Sequence, residues 1–283
     1  MKSTTIFLKR LLKNYSMLVG VVILMAVLAV VVLVPIFTDT DPNKIQYDSM
    51  LLAPTSDHIF GTDSFGRDLF ARVAVGGRVS LAIGLEVTLG TTILGVLIAL
   101  FAGYYEKFDI VVMRVMDVLM AFPSLLLAIA LTAAFSNSIE GVSIALTVAY
   151  TPRTVRIVRS AILTIREEAY IEAAKAIGVK PIWIIFKHIL PGALPVLIVQ
   201  ETFLFAYAIL AEAGISFVGV GVQPPNASWG NILSDATSLL REAPWTVMFP
   251  GFAIMLTVLA FNLIGDGLRE VLDPKRLKGN AYD

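Results

Sequence analysis

The residues of this sequence that could take part in chemistry are charged side chains that lie inside long apolar stretches. Four carboxylates interrupt such stretches, at Glu86, Asp117, Glu201 and Glu212. A charge at the centre of a bilayer costs about 2.5 to 3.5 kcal/mol on insertion scales, so each carboxylate should face protein or water. The four could form a path for protons or cations. They could equally bond to neighbouring helices, hold gates, or lie near a membrane interface where the cost is low.

Metal and covalent chemistry have little support in this sequence. It has no cysteine, which excludes disulfides, thiolate catalysis and Cys-ligated metal sites. His58 and His188 are the two imidazoles, and neither has a second His or a carboxylate four residues later, so we expect structural roles for both. The dipeptide Gly-Lys never occurs, so there is no phosphate-binding G-x4-G-K-[ST] loop. We expect a chain that is not itself an enzyme and binds no metal or cofactor.

A charged, alanine-rich segment, "EEAYIEAAKAIGVKPIWIIFKHILP", covers residues 167–191. Helix formers predict a helix over 167–177, which Gly178 ends in a left-handed conformation. Pro181 should begin a second helix that ends at Pro191. Such a helix, corner and helix could lie in a groove of another protein or rest on the bilayer surface. The residues predicted to dock are Glu168, Tyr170, Ile171, Glu172, Ala173, Ala174 and Gly178.

The elements that carry these residues belong to a membrane protein. The chain has 283 residues, 57% of them hydrophobic and 16% charged, whereas a soluble domain has about 25% charged residues. A membrane-spanning helix needs about 20 apolar residues. Five or six stretches qualify, and the fourth is the least clear because Pro152, Arg153 and Arg156 cut it short. The predicted spans are Met17–Phe37, Val79–Gly103, Val111–Phe135 with a kink at Pro123, Ile139–Ile157, Leu194–Val218 and Val247–Leu268.

The distribution of Lys and Arg predicts the orientation of these spans. Six spans place both termini on one side, and that side then holds 17 of the 22 basic residues, including those of the 167–191 segment. Because cytoplasmic loops carry the excess of Lys and Arg, both termini should be cytoplasmic. The net charge of zero gives no basic field for nucleic acid.

The 167–191 segment resembles a known loop. Glu172, Ala173, Ala174, Gly178 and the final Leu190-Pro191 are similar to the E-A-A-x3-G-x9-I-x-L-P loop of ATP-binding-cassette importer permeases. In that family the loop forms a coupling helix that docks into a cleft of the ATPase subunit. His188 stands where the general pattern has Ile, and "KHILP" in this place is similar to the peptide and nickel branch of these importers.

Three further stretches carry the same resemblance. "HIFGTDSFGRDLFARVAVGGRVSL", residues 58–81, resembles the extracytoplasmic signature of the second permease subunit of dipeptide, oligopeptide and nickel importers. Residues 209–233 resemble that subunit's fifth span and external loop, and residues 261–274 its C-terminal end. The signature residues, whose charged members could pair with one another, are Gly61, Asp63, Gly66, Arg67, Asp68, Arg72 and Arg78.

The resemblance implies an all-α, polytopic membrane protein with six transmembrane helices, a type I importer permease fold and a cytoplasmic coupling helix. It divides the chain into an N-terminal anchor and extracytoplasmic segment (1–78), a transmembrane core (79–272) with its coupling loop (165–191), and a cytoplasmic tail (273–283). It implies a heterodimer with a homologous permease in the inner or plasma membrane of a prokaryote. Two ATPase subunits would bind ATP and Mg, and an extracytoplasmic binding protein would deliver the cargo.

The resemblance also bears on the buried carboxylates and on the cargo. It favours a structural or gating role for Glu212 and places Glu201 on the translocation pathway, where it could meet a cationic peptide amine or a metal chelate. Short peptides are the expected cargo, with nickel or metallophore complexes, glutathione and oligosaccharides as alternatives. Rival functions are a secondary transporter or channel working without ATP, and a membrane anchor that only assembles other proteins.

Overall fold

The computed structural model describes residues 11, 13–38, 40–135 and 138–272. The predicted cytoplasmic tail, 273–283, and most of the basic N-terminus lie outside the described residues. Ten α-helices occupy the described part: α1 Tyr15–Phe37, α2 Leu69–Tyr104, α3 Glu106–Met120, α4 Ser124–Phe135, α5 Ile139–Arg166, α6 Ala169–Ala176, α7 Pro181–Ile184, α8 Leu190–Phe217, α9 Trp229–Ala236 and α10 Trp245–Leu272. Short 3-10 turns lie at Tyr47–Ser49 and Thr237–Leu239, and a π-helical turn at Ile185–Ile189. These bounds confirm the all-α prediction.

The N-terminal helix α1 packs along α10. Asn14 begins it, because its side-chain oxygen accepts a hydrogen bond from the backbone N–H of Met17 at 2.9 Å. The two helices approach closely at glycines, since a Cβ at Gly20 would lie 2.8 Å from the carbonyl oxygen of Ala260. The apolar anchor is therefore held on the core by close backbone packing, as is common between membrane helices.

Helix α2 is the centre of the core and packs against α5 and α8. A Cβ at Gly90 would lie 2.9 Å from the Thr147 side chain, and one at Gly95 would lie 2.7 Å from that of Thr154. Gly84 meets α8 in the same way. The small residues of α2 therefore serve the chain's own core.

The predicted third span is two helices. α3 and α4 meet at 90°, with the break at residues 121–123, so Pro123 does much more than kink one helix. Pro123 precedes α4 and disfavours helical conformation in the residue before it. At 1.5 Å per residue, neither piece alone reaches across a hydrocarbon core of about 30 Å.

The fourth predicted span is longer than expected, because α5 continues from Ile139 to Arg166. The helix extends past residue 157 because its arginines find partners outside the helix. The Arg156 guanidinium donates to Asp117 at 2.6 Å, Arg159 forms a two-point ion pair with Asp109, and Arg166 donates to the carbonyl of Gly103 at 3.1 Å. The first two partners fix α3 to α5.

Four helical segments of the described chain are long and apolar enough to cross a membrane: Tyr15–Phe37, Leu69–Tyr104, Pro181–Phe217 and Trp245–Leu272. The bent pair of α3 and α4 would make a fifth. Helix α5 has 28 residues but is not among these segments. Six spans therefore stay a prediction.

Candidate functional site

The alanine-rich segment folds as a helix, a corner and a helix, as predicted. Helix α6 is shorter than expected, covering Ala169–Ala176. Gly178 has φ of +80°, the left-handed conformation that ends a helix, and no atom lies within 4 Å of the place its Cβ would occupy. Pro181 occupies the first turn of α7. The corner therefore depends on the backbone freedom of one glycine.

The inner face of α6 is covered by its own chain. Ile171 is fully buried and Ala174 is 8% exposed, and both belong to an apolar cluster with Ile162 of α5 and Ile184 of α7. Residues three apart share a helix face, so these two hold α6 on the permease core. In this conformation Ile171 has no exposed surface and Ala174 has little, so the docking role of these two residues stays a prediction.

The outer face of α6 is exposed. Tyr170 is 50% exposed and Ile177 is 80% exposed, and Trp183 of α7 adds a third apolar side chain at 58%. Charged and small residues separate them on the same exposed surface, namely Glu168, Glu172, Ala173 and Gly178. Large apolar side chains mixed with charge and alanine suit a short helix laid against a protein groove. We call residues 168, 170, 172, 173, 177, 178 and 183 the outer face.

The second helix of this segment does not end at Pro191. α7 passes through the π-helical turn Ile185–Ile189 directly into α8, and Pro191 lies in the first turn of α8. Its missing N–H thus falls directly after the π-helical turn, where the hydrogen-bond pattern already departs from that of an α-helix. His188, within the π turn, packs near Tyr170 with ring centroids 6.4 Å apart. The corner is thus followed by one long, locally unwound helix.

On the other side of the predicted membrane, the signature residues fold the segment that precedes α2. Asp63 is 7% exposed and accepts from the backbone of Phe65 and Arg67 and from Arg67 Nε at 2.6 Å. Arg72 lies 3.5 Å from the same carboxylate and donates to Asn43. Arg67 reaches Asp235 of α9 at 3.4 Å. The predicted pairing of charges is confirmed for Asp63, Arg67 and Arg72.

The remaining signature residues shape the entry into α2. Asp68 begins the helix by accepting from the backbone N–H of Ala71, and its other oxygen lies 2.8 Å from His58 Nδ1. Gly61 and Gly66 have φ of +75° and +70°, and a Cβ at Gly66 would clash with the carbonyl of Gln46. These residues therefore position the external segment against the core.

Glu212 is fully buried between α2 and α8. Ser80 and Ser216 donate to its two oxygens at 2.7 and 2.8 Å. Each serine hydroxyl in turn accepts a backbone N–H: Ser80 from Trp229 at the start of α9, and Ser216 from Val222 in the loop before it. Glu212 thereby joins α2, α8 and the start of α9, an arrangement consistent with the structural role expected for it.

Glu201 lies where α2, α5 and α8 meet and is 8% exposed. Thr91 of α2 donates to it at 3.3 Å and Thr154 of α5 at 3.2 Å. In contrast, Glu86 and Asp117 are exposed and bond to Ser143 and Arg156. In this conformation the carboxylate of Glu201 therefore joins helices of its own chain, and its place on a pathway stays a prediction.

Comparison with protein families places this arrangement among known transport proteins. Residues 92–278 match the family model for the binding-protein-dependent transport system inner membrane component. Residues 4–54 match the N-terminal transmembrane domain of oligopeptide transport permease C. The chain belongs to this permease family. Its members are transport subunits of the inner membrane, so the permease is a membrane transport protein and not a catalytic enzyme.

Named relatives cover most of the permease. A Brucella abortus protein, provisionally named a peptide transport system permease protein, is 49% identical over 94% of this chain and 90% of its own length. The dipeptide transport system permease of Alkalihalophilus pseudofirmus is 44% identical over 94% of this chain and 88% of its own. The glutathione transport system permease of Pectobacterium atrosepticum is 43% identical over 82% and 78%.

Arg78 has a role in the permease that pairing among the signature charges did not predict. Its guanidinium donates to the carbonyls of Val31 and Val32 in α1, both at 3.0 Å. Pro35 lies four residues after Val31 inside the same helix and has no N–H, so the Val31 carbonyl has no helical donor. Arg78 supplies that donor and fixes the anchor to α2. The sequence contained a signal for this contact, namely a proline inside the first span and an arginine at the start of the next predicted span.

We expect the role of Arg78 to depend on Pro35. Arg78→Met should weaken the association of α1 with the core by about 1.5 to 3 kcal/mol, because a charged hydrogen bond is lost to a carbonyl without another donor. Pro35→Ala restores that donor, so Arg78→Met should cost at least about 1 kcal/mol less in the Pro35→Ala background. Thermal unfolding of the four detergent-solubilised proteins measures this cycle. Equal losses in both backgrounds would show that Arg78 acts without Pro35.

Proposed function

We propose that this permease is a pore-forming subunit of an ATP-driven importer of short peptides. The observation that carries the proposal is the outer face of α6, which exposes Tyr170 and Ile177 on a helix whose opposite face is buried in the core. An ATPase subunit in the cytoplasm would cover this surface, and the exposed Glu168 and Glu172 suit a protein groove better than the anionic surface of a bilayer. The peptide cargo is supported by relatives named for peptides, dipeptides and glutathione, which is itself a modified tripeptide.

The proposed assembly contains a homologous second permease, two cytoplasmic ATPase subunits and an extracytoplasmic binding protein. This chain binds no cofactor, and ATP and Mg are bound by the ATPase subunits. The permease has six spans, with α5 as one of them and α3 with α4 as another, and both termini are cytoplasmic in a prokaryotic inner or plasma membrane. The excess of Lys and Arg in the cytoplasmic loops supports that orientation.

The mechanism is a population shift driven by ATP. Closure of the ATPase pair on ATP displaces the docked α6, and hydrolysis resets it. Ile171 and Ala174 lie in one apolar cluster with residues of α2, α5 and α8, so a displacement of α6 acts directly on the core helices. The core then alternates between inward-facing and outward-facing states. ATP binding thus changes access to the pathway without any nucleotide contact in this chain.

Uptake by the whole importer tests this function. The permease, its sister permease, the ATPase subunits and the binding protein are reconstituted in lipid vesicles loaded with ATP and Mg. Radiolabelled trialanine added outside should accumulate against its gradient, and omission of ATP or of the ATPase subunits should abolish accumulation. Labelled nickel in a parallel assay should not accumulate. Accumulation without ATP would support a secondary transporter, and nickel accumulation without peptide accumulation would overturn the peptide cargo.

A further inference from the structure

Arg153 differs from the other arginines of α5 in its partners. Arg156, Arg159 and Arg166 each bond to a carboxylate. Among the residues that the structure describes, Arg153 forms no ion pair, and its guanidinium lies 5.0 Å from the centre of the Tyr207 ring of α8. The side chain is exposed and belongs to the middle of the helix. With α5 as one of the six proposed spans, the middle of this helix lies near mid-membrane depth and not in a cytoplasmic loop, and a cation that has no anion of its own is presented there.

The surroundings of Arg153 are aromatic and polar. Tyr150, one turn earlier on α5, interacts with Arg153 and Tyr207 and lies within hydrogen-bonding reach of Ser124. Ser124 is the first residue of α4, so this cluster lies beside the 90° break between α3 and α4. Residues 121–124 at the break are exposed. We call Arg153, Tyr150, Tyr207 and Ser124 the mid-membrane cluster.

Lipid cannot cover this face. Non-helical backbone occurs at membrane depth only where protein buries it or where it lines a water-filled cavity. An exposed arginine at the middle of a span is subject to the same restriction. The break and Arg153 are independent features, and both exclude acyl chains from the same place. The face therefore borders either another subunit or water.

Water is the better match. One turn after Arg153, the ion pair of Arg156 and Asp117 joins α5 to α3, and its side chains are 50% and 52% exposed. The cores of subunit interfaces are depleted of charged residues, whereas a hydrated cavity accommodates such a pair. The mid-membrane cluster is thus expected to face water.

We propose that Arg153, Tyr150 and Tyr207 bind the free carboxylate of the peptide in transit. The inference rests on the peptide import proposed above and names the group that this permease contacts at mid-membrane. A guanidinium donates two parallel hydrogen bonds to a carboxylate, and the tyrosine hydroxyls can add further donors. The ring of Tyr207 pre-orients the guanidinium without neutralising it. A carboxylate is the complementary group that every unmodified peptide carries, whatever its side chains.

The test compares trialanine with trialanine amide in the reconstituted importer, using wild type, Arg153→Gln and Arg153→Lys. We expect Arg153→Gln to lower trialanine uptake at least about tenfold while changing amide uptake less than about twofold. The binding protein contributes the same preference for trialanine over its amide in every complex. A change in the ratio of trialanine uptake to amide uptake therefore reports the contribution of the permease. Arg153→Lys keeps the charge and should restore at least about a third of the preference.

Arg156→Gln is the matched control, since it lies on the same helix and has its own partner in Asp117. We expect it to change the uptake of both peptides by one common factor. The proposal is overturned if Arg153→Gln lowers both uptakes equally or leaves both unchanged. Dissociation of the sister permease from the Arg153→Gln complex would instead assign Arg153 to a subunit contact. If wild type imports neither peptide, the peptide cargo itself fails, separately from the variant result.

Discussion

Replacing Glu212 by alanine should lower the free energy of unfolding of the permease by about 2 to 4 kcal/mol, the largest stability loss we expect from one buried polar residue. Ser80 and Ser216 each donate their single hydroxyl proton to Glu212. Alanine would leave both buried hydroxyls without an acceptor and would also leave a cavity. The backbone N–H groups that depend on these serines belong to Trp229, the first residue of α9, and to Val222 in the loop before it, so α9 should loosen from α2 and α8.

The expected loss has a clear measure. Because about 1 kcal/mol shifts the unfolding midpoint of a chain of this size by about 2 to 4 °C, the midpoint should fall by about 5 to 15 °C. It can be followed as the monodisperse fraction that survives heating in detergent. Glu212→Gln keeps the volume and one acceptor and should lose less than half as much. Glu242→Ala, an exposed glutamate of the same external region, is the control and should shift the midpoint by less than about 2 °C.

A midpoint for Glu212→Ala equal to that of Glu242→Ala would contradict this account of the network. Loss of uptake by Glu212→Ala at an unchanged unfolding midpoint would also contradict it, because that result would assign Glu212 to gating. The two roles are therefore separable by measuring stability and uptake on the same preparation.

Most of the fold could be predicted from the apolar runs, because the hydropathy of a run depends only on residues that are neighbours in the sequence. Length and hydropathy are enough to find α1, α2, α8 and α10, since each lies in a long segment of high mean hydropathy with few charged residues. Helix α5 was harder, because its arginines look like the end of a span when their partners on α3 are unknown. The ion pairs of Arg156 and Arg159 with α3 are contacts between distant segments, and hydropathy carries no information on them.

Proline and burial account for the errors. Pro123, Pro152 and Pro191 have the same local restrictions, yet one ends a helix, one lies inside α5 and one begins α8. Their outcomes depend on packing around each site. Similarly, the spacing of Ile171 and Ile177 marks both as apolar residues of one helix, but which of them faces the core depends on where α6 lies against α5 and α7.

The burial of Ile171 and the exposure of Ile177 lead to the prediction with the largest functional effect. Ile177→Asp should leave the permease folded, because the side chain is 80% exposed and touches little of its own chain. If the outer face of α6 docks into an ATPase subunit, a charge placed in that contact should weaken binding by about 10- to 100-fold and lower ATP-driven uptake to a similar extent. Retention of the ATPase subunits on immobilised permease and peptide uptake are measured together.

Ile171→Asp is the matched variant, with the same chemical change on the buried face of α6, whereas Ile177 directly follows that helix on the exposed side. Ile171 is fully buried, so a carboxylate there should destabilise the permease by about 3 to 5 kcal/mol and reduce the folded protein recovered from membranes. Loss of ATPase retention and uptake in Ile177→Asp, and loss of folded protein in Ile171→Asp, would thus distinguish a docking surface from a core surface. Normal ATPase retention and uptake in Ile177→Asp would remove the docking role from α6. Residues 167–191 would then act within the membrane domain alone. The inner face of α6 is already covered by its own chain, and the outer face would have no partner.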